Sequence, residues 1–241
     1  MKIERIACIG AGLVGHSWAT LFALKGYQVN LQSRKDSTLN TAMALIMSNM
    51  KFLRQKRIVK SDEVEGAVDR IKTTGSIEEA VNCVDYVQES VAERYDVKKA
   101  VFKKMDLYAP DHAILASSSS GLLISEIQKV TEKPQRCVLV HPWNPPILMP
   151  LVEIAGGAKT SKETIQNTYN LMLKLEKVPV IIRKEVPGYI ANRIQAAVLR
   201  ETIDLVDRGV ATVEEIDRAV SAGPGLRWAL MGPFLIHHLG G

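Results

Sequence analysis

Cysteine is scarce. The chain has three in 241 residues, Cys8, Cys83 and Cys137, an odd count with no metal-ligand spacing. That excludes a disulfide framework and a cysteine zinc site, and it predicts three small buried hydrophobes in a reducing cytoplasm. Aromatic residues are also few, at 5%, and no stacking motif accompanies the net charge of +5. Nucleic acid is therefore not an expected partner. No apolar run reaches the length of a membrane span before a charge breaks it. The opening residues, MKIERIACIG, lack the apolar core and cleavage site of a secretory signal. No internal repeat appears, and the only low-complexity stretch is the serine run at 117–120. What remains is an ordinary globular balance, 46% hydrophobic and 24% charged. A phosphorylated small ligand fits the modest basic excess.

Residues 3–9 are apolar and β-branched and predict a buried strand. GAGLVG follows, then HSWATLFALKG with helical spacing and Gly26 as a stop. YQVNLQS predicts the second strand. A helix is expected from Thr38 to about Val59, with Leu39, Met43, Leu45, Ile46, Met50 and Leu53 on its apolar face. Further strands are expected at RIKTTGS, CVDYVQES, AILASSS, RCVLVH, PLVEIAG and KVPVIIR. Helical turns are expected at SIEEAV, at about 96–107 and at 162–175. Strands alternating with helices predict a doubly wound, mostly parallel α/β sheet of the Rossmann type. From Val186 the character changes. YIANRIQAAVLRETIDLVDRG and TVEEIDRAVSAG read as amphipathic helices. The expected division is a dinucleotide-binding domain over 1–187 and the start of an all-α domain over 188–241.

Gly10, Gly12 and Gly15 form G-x-G-x-x-G between a strand and a helix. Gly10 permits the tight turn, Gly12 lets backbone approach a pyrophosphate, and Gly15 lets helix and strand pack closely. Leu13 and Val14, inside the motif, open the helix whose N-terminus favours phosphate charge. A capping loop with no ligand is the bland alternative, and the strand–loop–helix context weighs against it. About twenty residues on, the second strand ends at Ser33, followed by Arg34 and Lys35. An aspartate there would hydrogen-bond the adenosine ribose and repel a 2′-phosphate. Ser33 removes that repulsion and Arg34 can pair with the phosphate, so NADP(H) is the favoured cofactor. The alternative is NAD(H) with solvated Arg34 and Lys35.

A dehydrogenase needs a base for the hydroxyl proton, and histidine suits the task. His141 ends RCVLVH, at the strand end where ligands bind in open α/β sheets. Glu153 lies twelve residues on, able to orient an imidazole if the two meet. Each also has a plain structural reading, His141 as a satisfied core residue, Glu153 as a strand residue and Ser120 as a helix cap.

IGAGLVG, ASSSS, HPWNPP…LVE and GYIANR, in this order and spacing, resemble the L-3-hydroxyacyl-CoA dehydrogenase family. That family includes L-gulonate and carnitine 3-dehydrogenases and lambda-crystallin. The resemblance implies His141 as catalytic base, Glu153 as its partner, Ser120 bonding the substrate oxygen and Asn192 helping to hold the substrate. It also implies Glu93 near the nicotinamide end. The chain departs from the pattern at Ser118, where the acyl-CoA enzymes usually have asparagine, and at Ser33, where they have aspartate. It stops at MGPFLIHHLGG, where relatives continue through further helices. An incomplete helical domain is therefore expected, with a homodimer formed through that domain in a full-length chain. A 3-hydroxyacyl-CoA is the first substrate expected, with Lys51, Arg54 and Lys56 facing the CoA phosphates or forming a solvated helix face. A small 3-hydroxy acid, of the gulonate or carnitine type, is second. A catalytically silent, crystallin-like dinucleotide binder is third. No metal site is expected.

Overall fold

The computed structural model describes residues 1–240 and divides the chain into two compact units, Met1–Ile190 and Ala191–Gly241. In the first unit the order is β1 (Arg5–Ile9), α1 (Leu13–Leu24), β2 (Gln28–Gln32), α2 (Asp36–Gln55), α3 (Ser61–Val64), β3 (Ile71–Thr74), α4 (Ile77–Val81), β4 (Tyr86–Glu89) and α5 (Tyr95–Tyr108). It continues with β5 (Ile114–Ser117), α6 (Ile124–Ile127), β6 (Cys137–Pro142), β7 (Leu151–Gly156), α7 (Lys162–Lys174) and β8 (Val178–Ile182). The eight strands form one sheet in the order β3-β2-β1-β4-β5-β6-β7-β8. All neighbours are parallel except β6 and β7, which are antiparallel. This is the doubly wound, Rossmann-type sheet expected from the sequence.

The sheet is covered on both faces. Successive residues of a strand point to opposite faces, and β1 shows the result. Ile6 and Cys8 join one apolar cluster with Trp18, Phe22, Leu39 and Ile46. Ala7 and Ile9 join the other with Val84, Phe102, Met105 and Leu115. Burial on both faces explains why central strands such as β1, β5 and β6 read as near-continuous apolar runs instead of alternating ones.

Helix ends follow backbone chemistry. After α1 the Gly26 amide donates to Ala23 O and the Tyr27 amide to Phe22 O, with Gly26 at φ +87°. That is a glycine stop where the sequence placed one. α2 ends earlier than expected, at Gln55 instead of about Val59. Arg57 turns left-handed (φ +56°), and the amides of Arg57 and Ile58 fold back onto Arg54 O and Leu53 O. Its buried stripe is Leu39, Ala42, Ile46, Met50 and Leu53. Leu45, expected on that face, is exposed, because it lies one residue and about 100° from Ile46. Cys8 and Cys137 are buried as expected, but Cys83 is exposed.

In the second unit α8 (Ala191–Asp207), α9 (Val213–Ala222), α10 (Pro224–Leu230) and α11 (Pro233–Leu239) follow in turn. A capping box opens α9: Thr212 Oγ1 accepts the Glu215 amide, and Glu215 Oε2 accepts the Thr212 amide. The long helix expected from Tyr189 starts two residues later. Gly188 and Tyr189 both have positive φ, +76° and +54°, which no α-helix accommodates. No described helix is long and apolar enough to cross a membrane.

Candidate active site

β1 hands over to α1 through the glycine turn, closed by the Gly10 amide on Gln32 O at 2.9 Å. Gly10 sits at φ +95°, and a Cβ there would stand 2.8 Å from Ser90 O, so glycine is required twice over. A Cβ on Gly15 would come within 1.7 Å of Gly10 O. Gly12 is different: nothing lies within 4 Å of where its Cβ would be. It is the N-cap of α1 and offers no side-chain cap. The first-turn amides, those of Leu13 and Val14 among them, have no partner inside the helix, and a helix N-terminus of this kind favours a bound phosphate.

Beside this turn is a cavity of about 460 Å³. It lies where β1 and β4 part, the switch point of the sheet. Ser33 and Arg34 line it, as does Lys104, which the sequence reading did not single out. The Ser33 amide donates to Thr74 O and fixes the strand end. The one carboxylate in the lining, Asp96, is paired with Arg94 at 2.7 Å. An open glycine turn beside a cavity with two cations fits the adenosine and phosphates of a nicotinamide dinucleotide.

The putting together of His141 and Glu153 is a matter of register. β6 and β7 are antiparallel, and His141 stands directly opposite Glu153. Directly opposed residues project from the same face with their Cβ atoms about 5 Å apart. His141 Nδ1 meets Glu153 Oε2 at 2.8 Å, and the side chains are 6% and 1% exposed. A carboxylate on Nδ1 places the ring proton there and leaves Nε2 for a hydroxyl. The second carboxylate oxygen is held too: Oε1 accepts the Ile190 amide at 2.9 Å. The His141 ring packs against Tyr189 with centroids 5.3 Å apart.

The serine run follows β5, and Glu93 organises it. Glu93 Oε1 accepts the Ser119 hydroxyl (2.6 Å) and the amides of Ser120 (2.8 Å) and Gly121 (3.0 Å). Burial opposes ionisation of Glu93, but the Ser119 hydroxyl, the Lys98 ammonium and the two amides outweigh it and hold its pKa down. Ser120 is exposed at the mouth of this loop. Ser118, by contrast, is buried, with its hydroxyl against Gln88 Nε2 and Ser90 Oγ. Beneath the loop lies an ion pair that sequence reasoning missed. Lys98 and Glu89 meet at 2.8 Å with almost no exposure, and Glu89 also accepts the Ser117 hydroxyl. A signal was available: Lys98, Phe102 and Met105 share the buried stripe of α5 at i, i+4, i+7.

Lys51, Arg54 and Lys56 are exposed at the end of α2, and none lines the cavity at Ser33. Asn192 is in the first turn of α8, in the second unit. No cluster of three or more candidate metal ligands occurs among the described residues.

A Rossmann sheet with an open glycine turn, and a buried histidine–carboxylate pair at the same edge, defines an oxidoreductase that works with a nicotinamide dinucleotide. The family model of the NAD-binding domain of 3-hydroxyacyl-CoA dehydrogenase matches residues 5–186, and that of its C-terminal domain matches residues 188–241. The chain belongs to the 3-hydroxyacyl-CoA dehydrogenase family. It is 38% identical over 240 residues to an L-carnitine dehydrogenase of Oceanobacillus iheyensis, covering 99% of this chain and 76% of that one. It is 36% identical to a lambda-crystallin homolog of Rattus norvegicus, covering 97% of this chain and 74% of the relative. It also superposes with a TM-score of 0.92 on the crystal structure of 5-formyl-3-hydroxy-2-methylpyridine 4-carboxylic acid 5-dehydrogenase, an NAD+-dependent dismutase. That likeness is at 32% identity and covers 100% of this chain and 77% of the other.

Proposed function

We propose that the protein catalyses reversible oxidation of the 3-hydroxyl of a small, carnitine-like 3-hydroxy acid to the 3-keto acid, with NADP(H) preferred. The observation that carries the reaction is the 2.8 Å contact of His141 Nδ1 with Glu153. It leaves Nε2 to take the hydroxyl proton during oxidation and return it during reduction. Glu153 holds the ring and offsets the charge of the imidazolium. Bound along the glycine turn, the dinucleotide supplies or accepts the hydride. Ser120 and Asn192 take their substrate roles, bonding the reacting oxygen and holding the acid, from the family resemblance. Carnitine-like chemistry is supported by the relatives.

NADP(H) preference rests on the strand end. Ser33 carries no charge to repel a 2′-phosphate, Arg34 and Lys104 line the same cavity, and Asp96 is already paired. The crystallin-like alternative keeps dinucleotide binding without turnover, and an intact, buried dyad speaks against it.

The test is cofactor reduction with L-carnitine, L-gulonate, 3-hydroxybutyrate and (S)-3-hydroxybutyryl-CoA, each with NAD and NADP, in the natural chain and in His141→Gln. The expected result is turnover of a free hydroxy acid, faster with NADP. His141→Gln should bind dinucleotide normally and lose most turnover. Turnover of the acyl-CoA alone refutes the substrate, and full activity of His141→Gln refutes the mechanism.

A further inference from the structure

The chain just before the helical unit touches both members of the dyad and the end of the serine loop within three residues. Gly188 and Tyr189 are consecutive left-handed residues, at φ +76° and +54°. Glycine adopts that conformation freely, whereas a tyrosine does so only where its surroundings compel it. The turn is closed by the Tyr189 amide on Val186 O at 3.1 Å.

What the strained conformation achieves is visible in the contacts. The Tyr189 side chain is fully buried, with its ring against the His141 imidazole at 5.3 Å. Its hydroxyl donates to Leu122 O at 2.6 Å, and so ties down the end of the serine loop. The next amide, that of Ile190, donates to Glu153 Oε1 and fixes the rotation of the carboxylate whose other oxygen holds Nδ1. Burial raises the phenol's pKa, so it stays a donor at working pH.

A helical backbone at Tyr189 could not make these contacts together. A helical φ at Tyr189 would change the directions of both its side chain and the Ile190 amide, which now meet His141 and Glu153. The left-handed turn is therefore where the dyad and the serine loop are set relative to each other.

We propose that Tyr189 is a positioning residue: its ring holds the His141 imidazole, and its hydroxyl holds the serine loop in register with it. This rests on the reading above, in which His141 moves the proton and Ser120 bonds the reacting oxygen. The adenosine end of the cofactor site is separate from this hydroxyl, because the lining of the Ser33 cavity contains neither Tyr189 nor Leu122.

Two variants separate the parts. Tyr189→Phe keeps the ring and deletes only the hydroxyl. Tyr189→Leu deletes the ring and keeps the site apolar. For both, kcat, KM and the dissociation constant of the reduced dinucleotide are measured. The solvent-exchange rate of the His141 Nδ1 proton is followed by NMR in protein without substrate. In Tyr189→Phe, kcat should fall about tenfold, with dinucleotide affinity and Nδ1 exchange both within twofold of the natural chain. In Tyr189→Leu, Nδ1 exchange should accelerate at least tenfold as well. Unchanged kcat and KM in Tyr189→Phe would overturn the role of the hydroxyl. Unchanged Nδ1 exchange in a folded Tyr189→Leu would overturn that of the ring. Should the natural chain oxidise none of the hydroxy acids, the reading of function fails, and the exchange measurement still decides whether Tyr189 holds the imidazole.

Discussion

Replacing Lys177 with methionine tests whether a buried ammonium holds the loop beside His141. Lys177 lies between α7 and β8 and is 7% exposed. Its Nζ donates to Pro146 O and to Met149 O, the latter at 3.0 Å, both in the loop joining β6 to β7. Burial lowers its pKa from 10.5 to about 8. In the unfolded chain the ordinary value returns. Between about pH 8 and 10.5 the unfolded state therefore binds more protons than the folded one, and stability rises with pH across that window. Below it the full penalty applies, about 3 kcal/mol for a shift of this size. Methionine removes the penalty but leaves two carbonyls without a donor, at about 1–3 kcal/mol each. These terms nearly cancel at neutral pH, so absolute stability decides nothing and the pH dependence decides everything. Urea unfolding of both proteins should show the natural chain gaining about 2 kcal/mol on Lys177→Met between about pH 7 and pH 9.5. Subtracting one protein from the other removes every other titrating group they share. Parallel curves would mean that the ammonium is hydrated in solution and keeps its ordinary pKa, which would refute the reasoning.

Glu153→Gln should cut kcat about a hundredfold or more while leaving dinucleotide affinity within about twofold, because the amide neither offsets the imidazolium nor fixes the ring proton. Fluorescence titration and initial rates on the same sample check this, and a rate within about threefold of the natural chain would discount the dyad. Ser33→Asp should move the ratio of NADPH to NADH affinity by about tenfold or more toward NADH, through repulsion of the 2′-phosphate; titration with both cofactors reads it, and an unmoved ratio would place that phosphate elsewhere. Gly15→Ala forces a Cβ to 1.7 Å from Gly10 O, so either the turn moves or the helix does. A loss of about 3 kcal/mol or more in unfolding free energy, with weakened dinucleotide binding, is expected, and a stable variant with normal affinity would refute the packing argument.

The parts of this protein legible in the sequence are those decided by local chemistry. Apolar runs marked central strands such as β1, β5 and β6, and Gly26 ended α1 where a glycine could. The glycine turn was legible because each of its glycines answers a steric demand within a few residues. Leu45 was misplaced because an apolar residue beside a stripe resembles one on it. Tyr189 was read as the start of a helix because no residue type announces a left-handed tyrosine; only its partners, His141 and Leu122, compel it. The dyad was more accessible than it first looked. Between His141 and Glu153 the loop 143–150 is eight residues long, contains three prolines and has no helical run. A parallel crossover needs about a dozen residues or more, usually with a helix. Strands β6 and β7 therefore had to be antiparallel, unlike the pairs before them. Once they are, the residues flanking the loop pair inward toward it, Pro142 with Val152 and then His141 with Glu153. The length and composition of the connection thus argue for the antiparallel sense of adjacent strands, whereas the register that opposes His141 and Glu153 is set by packing that no local run of sequence displays.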